Sequence, residues 1–311
     1  MRKVLSIDGG GIRGLIPALV IEEIEKKTGK PASSLFDLMV GTSTGGILAL
    51  GLSLARSDDA SPRYSARDLA KLYADRGRDV FPRSFWRGVS TIGGLTEEKY
   101  PADGVESVLA EYFGDAPLSE ALTHVMVTSY DIQNRVPFFL KSWRADRNAV
   151  EMKDAARATS AAPTYFEPAL VGVGGSVRAL VDGGVFVNNP AMSAFAEARL
   201  LFPGEDVYLV SIGTGELIRP ISYEESKDWG LAQWAIPILN VVFDGVSDAV
   251  DYQLRHVLGD DVVRFQTSLA RANDDMDDAS ARNIDALRAE ARRLIRSRRD
   301  ALDGVCERLA A

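Results

Sequence analysis

Short apolar, β-prone runs recur at residues 4–8, 36–40, 125–129, 136–140 and 207–212, separated by stretches with a helical period. Over 15–27, Leu15, Leu19 and Ile24 can pack while Glu22, Glu23, Glu25 and Lys26 stay solvated, and Pro17 falls in the first turn, where its missing N–H costs little. Further helices are predicted over 66–73, 101–113, 151–162, 190–201 and 279–309, the second of these with Val105, Val108 and Leu109 at helical spacing. Residues 55–64 read as a surface loop, and 82–99 as an irregular connection or cap. This alternation predicts an α/β/α three-layer sandwich around a central, mainly parallel sheet, in one domain over 1–311 with 279–311 as a C-terminal helical extension.

One junction between a run and a helix carries candidate chemistry. Residues 38–40 enter Gly41-Thr42-Ser43-Thr44-Gly45-Gly46, and a largely apolar stretch follows from 47 to 54. Gly41-x-Ser43-x-Gly45 has the spacing of a nucleophile elbow, a tight strand-to-helix turn that exposes a serine hydroxyl at a helix N-terminus. The first run ends at Asp8 and enters Gly9-Gly10-Gly11-Ile12-Arg13-Gly14, whose successive amides can converge on one point as an oxyanion site. Much later, 179–181 lead into Asp182-Gly183-Gly184, a carboxylate at a strand end. Ligands of open α/β sheets bind outside the carboxyl ends of strands, so the three can share one crevice.

In this order, Asp8-Gly-Gly-Gly-x-Arg13-Gly14, Gly41-x-Ser43-x-Gly45-Gly46 and Asp182-Gly183-Gly184 resemble the patatin-like phospholipases, lipid acyl hydrolases with a Ser-Asp dyad. The stretches 158–166, 185–191 and 211–215 extend the likeness over residues 3–215, with looser matches through 273–280. The resemblance implies Ser43 as nucleophile, Asp182 as its base and the backbone of Gly10 and Gly11 as oxyanion hole, supported by Gly9, Arg13, Gly14, Gly41, Gly45 and Gly183. It implies a patatin-like catalytic domain over 1–311 that cleaves fatty-acyl esters of phospholipids or related glycerolipids through an acyl-serine, without cofactor or metal. The alternative is a small-ester carboxylesterase or an acyltransferase on the same dyad. A phosphate-binding module is a further rival, but the glycine loop has neither the P-loop lysine nor the dinucleotide spacing.

Composition narrows this. The chain has 311 residues, 46% apolar and 26% charged, with a formal charge of −8, which argues for an ordinary globular protein and against nucleic acid as a partner. Cys306 is the one cysteine, a bystander thiol, and no internal disulfide can form. Asp8 interrupts the N-terminal run too early for a signal peptide, so a cytoplasmic location is expected, with peripheral contact to a membrane surface allowed.

Only two histidines occur, His124 and His256, and a Ser-His-Asp triad would need one of them. Ser43 follows one strand and one helix, too early for an α/β-hydrolase, so both are expected to be non-catalytic. Arg83, Phe85, Trp86 and Arg87 read either as an entrance or as a packed connection. Residues 229–254, broken by Asp244, Asp248 and Asp251, read as core packing or as a wall for acyl chains. Arg157 reads as a helix-surface ion pair or as an orienting residue for its loop, and Arg288, Arg292, Arg293, Arg296, Arg298 and Arg299 as a solvated face that could also meet anionic lipid. Asp274, Asp275, Asp277 and Asp278 lack the glycine-centred spacing of a calcium loop and read as acids before a helix N-terminus.

Overall fold

A computed structural model of the chain describes residues 1–80, 103–144, 150–163, 165–216, 220–234, 237–273 and 275–311. The proposed entrance at Arg83, Phe85, Trp86 and Arg87, and Asp274, lie outside these. The elements that frame the site are β1 (Arg2–Ile7), α1 (Leu15–Thr28), β2 (Leu38–Thr42), α2 (Thr44–Ser53), α3 (Ala66–Val80), α4 (Asp103–Phe113), β3 (His124–Asp131), β4 (Val136–Lys141), α5 (Met152–Thr159), β5 (Ala169–Val173), β6 (Ser176–Asp182), α6 (Ala191–Leu201), β7 (Val207–Ile212), α8 (Pro237–Leu258, after the one-turn helix α7, Leu231–Trp234), β8 (Val262–Phe265), α9 (Ala281–Ser297) and α10 (Arg299–Ala310).

The eight strands form one sheet in the order β5-β6-β3-β2-β1-β7-β8, with β4 also on β3. β3, β2, β1, β7 and β8 are parallel, while β4 and β6 run antiparallel to β3, and β5 to β6. Side chains alternate between two faces, as the pleat demands. Val4, Leu38, Val40, Met126 and Leu209 pack with α6 and α8, whereas Leu5, Ile7, Met39, Val125, Val127 and Val210 join the larger core under α1 to α5 and α9 to α10. The fold is the α/β/α sandwich the sequence predicts.

A strand has only two edges, and this fixes how the sheet ends at β3. β4 lines one edge of β3 from Met126 to Asp131, and β2 lines the other from His124 to Thr128. β6 pairs with Ser129, Tyr130 and Asp131 only, so it must take the edge that β2 vacates beyond Thr128. β2 and β6 therefore lie end to end along one edge of β3 and run toward each other. Thr42, opposite Thr128, and Asp182, opposite Ser129, face across the gap. An ion pair from Arg178 to the buried Asp131, 2.7 Å, supports this short pairing.

One reading changes. The stretch predicted as one C-terminal helix is two, meeting at Arg298. Their apolar faces lie in the main core: Leu287, Ala291 and Leu302 are fully buried, and Leu294 and Leu309 nearly so. Asp278, read as one of the acids ahead of this helix, accepts from the Ser280 amide and the Asn273 side chain, and Ser280 caps α9 through the Asn283 amide. The six arginines are in part engaged with neighbours, Arg288 with Asp285, Arg293 with Glu290 and the Ser268 carbonyl, and Arg299 with Asp303.

Because Leu287 is fully buried between α9 and the rest of the core, Leu287→Ala is expected to lower unfolding free energy by about 2–5 kcal/mol in urea titrations. A loss under about 0.5 kcal/mol would mean that the C-terminal helices contribute little to the fold.

Candidate active site

The elbow is built by close packing. A Cβ at Gly41 would strike the Gly45 carbonyl, and one at Gly45 the Ile7 carbonyl, so the turn between β2 and α2 closes only with glycine at both positions. Ser43 then sits at φ 55°, ψ −124°, a left-handed conformation uncommon outside glycine. Behind it α2 is buried along its whole length, which its sequence, apolar between Thr44 and Ser53, permits. A chain of hydroxyls holds the turn. The Ser43 amide donates to Thr159 Oγ1 (3.0 Å), Thr159 donates to the Thr128 carbonyl (2.7 Å), Thr128 to Thr42 Oγ1 (2.8 Å), and Thr42 to the Val187 carbonyl (2.8 Å).

Asp182 arrives from the opposite direction on β6, and the Ser43 hydroxyl is near enough to act on its carboxyl. Its Oδ1 accepts from the Gly184 amide at 2.7 Å, and its own amide donates to the Ala161 carbonyl at 3.0 Å. Gly183 is required here because a Cβ would strike Thr128 Oγ1. Burial raises the Asp182 carboxyl from an ordinary 3.8 to about 7, against the opposing hydrogen bonds from Ser43 and Gly184. The carboxyl therefore titrates near neutrality beside a serine hydroxyl.

The glycine loop lies against this pair. A Cβ on Gly9 would come within 3.2 Å of Ser43 Cβ, and one on Gly14 would strike Thr44 Oγ1. The amides of Asp8, Gly9, Ile12 and Arg13 each have a backbone acceptor, whereas those of Gly10 and Gly11 have none among the described residues. Gly11, at φ 57°, turns the loop into the short 3-10 turn Gly11–Gly14. Arg13 is buried and donates to the Gly10 and Gly215 carbonyls, both at 3.3 Å, which fixes the loop from behind.

Asp8, at the root of the loop, makes a buried bidentate pair with Arg264 of β8, at 2.9 and 2.5 Å. Arg264 also donates to Ser211 Oγ at 2.7 Å and Ser247 Oγ at 3.3 Å. Burial pushes the Asp8 carboxyl up, and Arg264 acts against that rise. A turn-holding role for Asp8 follows from the sequence, but its partner lies 256 positions away and has no local signal.

Three more residues have no role assigned from the sequence. Thr159 and Asn188 fall in stretches that carry the resemblance, and their side chains reach the site. A Cβ on Gly9 would lie 2.5 Å from Asn188 Oδ1, and one on Gly184 3.7 Å from it, so this amide lies between the glycine loop and the Asp182 turn. The third, Arg264, lies on β8, a strand not predicted from the sequence. Arg157 is buried and donates to the Glu167 carbonyl (3.0 Å) as well as to Glu106 (3.1 Å), so it orients the following loop while keeping an ion pair.

The histidines are elsewhere. His124 opens β3 five residues before Ser129, about 16 Å away along the strand, and packs edge-on against Trp143 and Phe202. His256 is exposed near the end of α8, with Nδ1 2.8 Å from the Tyr252 carbonyl.

Two stability measurements test this electrostatic description. With a folded value of about 7 against an ordinary 3.8, the Asp182 carboxyl binds its proton more tightly in the folded state, so its ionisation costs stability progressively as pH rises through that window. Asp182→Asn is expected to be more stable than wild type at pH 8, by up to about 4 kcal/mol, with the difference vanishing toward pH 4. Arg264→Met leaves the Asp8 carboxylate buried without its partner and is expected to cost about 3–5 kcal/mol at pH 7.5, partly regained at pH 5.5 as the carboxyl protonates. Urea unfolding across pH reads both, and a pH-independent Asp182→Asn difference would contradict the raised carboxyl.

Comparison with known proteins agrees with this geometry. Residues 5–195 match the family model described as patatin-like phospholipase. Patatin-like protein 2 of Oryza sativa subsp. indica is 32% identical over 92% of this chain and 82% of its own. Patatin-like protein 4 of Arabidopsis thaliana is 28% identical over 94% and 82%, and probable inactive patatin-3-Kuras 1 of Solanum tuberosum 31% over 91% and 83%. The sheet, the elbow at Ser43 and this match over most of the chain agree: the protein belongs to the patatin-like phospholipase family, a family of lipid hydrolases.

Proposed function

We propose that the protein hydrolyses fatty-acyl esters of phospholipids or related glycerolipids, with Ser43 as nucleophile and Asp182 as the only general base. Family membership alone does not carry activity: one potato relative is named a probable inactive patatin. The observation that carries the reading is Ser43, held at φ 55° at the strand-to-helix turn, beside the buried Asp182 carboxyl at the facing strand end, whose value is raised to about 7. A carboxylate of ordinary acidity is a poor base for an alcohol, and desolvation moves this one into the range where general bases work.

In this reading the Asp182 carboxylate takes the Ser43 proton as Oγ attacks the ester carbonyl carbon. The negative charge that forms on the carbonyl oxygen is met by the amides of Gly10 and Gly11 and by the N-terminal end of α2. The carbon–oxygen bond to the glycerol breaks, and Asp182 returns its proton to the departing alkoxide. An acyl-serine remains. Water then attacks it while Asp182 takes the water proton, and the second tetrahedral species releases fatty acid as Ser43 Oγ recovers a proton. Arg13 and the Asp8–Arg264 pair keep the glycine amides aimed, and the threonine chain keeps Ser43 in its left-handed conformation.

Ser43→Ala and Asp182→Asn are expected to lower kcat/KM by about a thousandfold or more, while His124→Ala and His256→Ala retain most of it. The wild-type kcat/KM should rise with pH and level off above an inflection near 7, because Asp182 must be ionised to accept the proton. Assays on phospholipids, galactolipids, neutral glycerides and soluble short-chain esters, with products identified, test the substrate class. Turnover of short esters alone would reject the lipid assignment and leave an esterase dyad; acyl transfer to an added alcohol in place of free fatty acid would indicate a transferase.

A further inference from the structure

The stretch read as core packing or as an acyl wall packs with one side only, where Val250 and Leu254 of α8 join the core. A surface helix normally keeps polar residues on its outer side. On α8 the exposed positions Ile238, Val241, Val242, Gly245, Ala249 and Tyr252 follow one another at helical spacing, so a largely apolar stripe runs along the outer side for about four turns, flanked by the exposed Asp244 and Asp248. Leu231, in α7 just before it, is 94% exposed. These side chains are neither core nor the lining of a closed cavity.

Topology puts the start of this stripe at the mouth of the candidate site. The chain leaves β7 at its carboxyl end, beside the glycine loop, and α8 returns antiparallel to the strands before β8, as a crossover between parallel strands must. The first half of α8 thus lies on the same end of the sheet as Ser43. Side-chain contacts tie it there: Arg264, which holds Asp8, donates to Ser247 Oγ, and the Asn189 side chain donates to the Ser247 carbonyl at 3.4 Å. Val185, three residues after Asp182, adds another exposed apolar side chain on this rim.

The chemistry of the stripe selects its occupant. Its exposed tip consists of branched aliphatic side chains, which suit insertion among acyl chains. The anchors of protein interfaces are more often Trp, Tyr and Arg. Trp229 and Trp234 are half-buried and edge-to-face at 5.1 Å behind Leu231, amphipathic rings of the kind enriched where hydrocarbon meets headgroups. Residues 237–254 carry Asp244, Asp248 and Asp251 and no Lys or Arg. Such a flank is repelled by an anionic surface and tolerated by a zwitterionic one, whose outermost groups are ammonium cations.

We infer that the outer face of α8, with Leu231 and Val185, is the surface by which the protein docks on a zwitterionic lipid aggregate with the Ser43 crevice toward the lipid. The basic α9 is not the docking face. This deepens the proposed lipid hydrolysis and rests on it for the orientation, while docking itself is measurable without catalysis.

The test pairs vesicle binding with two activities. Wild type is expected to co-sediment with phosphatidylcholine vesicles, and less well as phosphatidylglycerol is added. Val241→Asp/Val242→Asp should lower vesicle binding and vesicle hydrolysis by about tenfold or more, with turnover of soluble p-nitrophenyl butyrate, circular dichroism and Tm unchanged. Val241→Leu/Val242→Leu should bind at least as well as wild type, and Ser43→Ala should bind like wild type. Wild-type binding by the Asp double variant, tighter binding to phosphatidylglycerol, or no binding of wild type to either vesicle would overturn the inference. A dimer that the Asp pair converts to monomer would overturn it too, by giving the face to a second copy of the chain. If Ser43→Ala docks but wild type hydrolyses no ester, the proposed activity fails and the docking surface stands.

Discussion

The site depends on a limit of sheet geometry: one edge of β3 cannot be paired twice at the same residue. β2 uses that edge up to Thr128, β6 uses what remains from Ser129, and the two strands stop where they would collide. This brings a residue that follows β2 and the last residue of β6 side by side, although they are 139 positions apart. Thr128 sits at the seam, donating to Thr42 and accepting from Thr159. The same contact region thus sets strand length, backbone conformation at Ser43 and the approach of Asp182.

Packing this tight leaves little water around the carboxyl, and the altered acidity follows from it. The glycine loop has a comparable logic, with a different instrument. A buried guanidinium on β8 reaches across β7 to the root of the loop, and two hydroxyls complete its hydrogen bonding. Replacing either ion alone leaves a buried charge, so the pair ties the carboxyl ends of β1, β7 and β8 and the middle of α8 into one unit.

What could be read in the sequence was local. The elbow needs glycines at fixed offsets around Ser43, and an acidic residue before two glycines at a strand end marks Asp182, so both are written in a few consecutive residues. The parallel strands β1, β2, β3 and β7 are legible because they are short and largely apolar, while the four-residue β8, which carries Arg264, is not. β5 escapes because Ala169–Val173 alternates buried with exposed positions and includes Gly172. Arg264, Thr159 and Asn188 escape because a small or charged side chain looks the same in a chain whether its partner is solvent or a residue across the fold. The outer face of α8 escapes for a related reason: periodicity shows that a helix has an apolar side, and tertiary packing decides whether that side turns inward.

The position of β1 has a consequence during synthesis. Among the strands of this sheet it is made first, yet it lies inside the sheet, with β2 on one edge from Val4 to Ile7 and β7 on the other from Arg2 to Ile7. The residues that cover that second edge, Val207 to Ile212, emerge about 200 residues later, which at about 5–20 residues per second leaves it open for about 10–40 s. An unpaired, apolar edge is a template for adding strands from other chains. Nascent chains of this protein are therefore most exposed to misassociation before β7 emerges, and slowed translation between α6 and β7 would lengthen that interval without changing any residue of the finished enzyme.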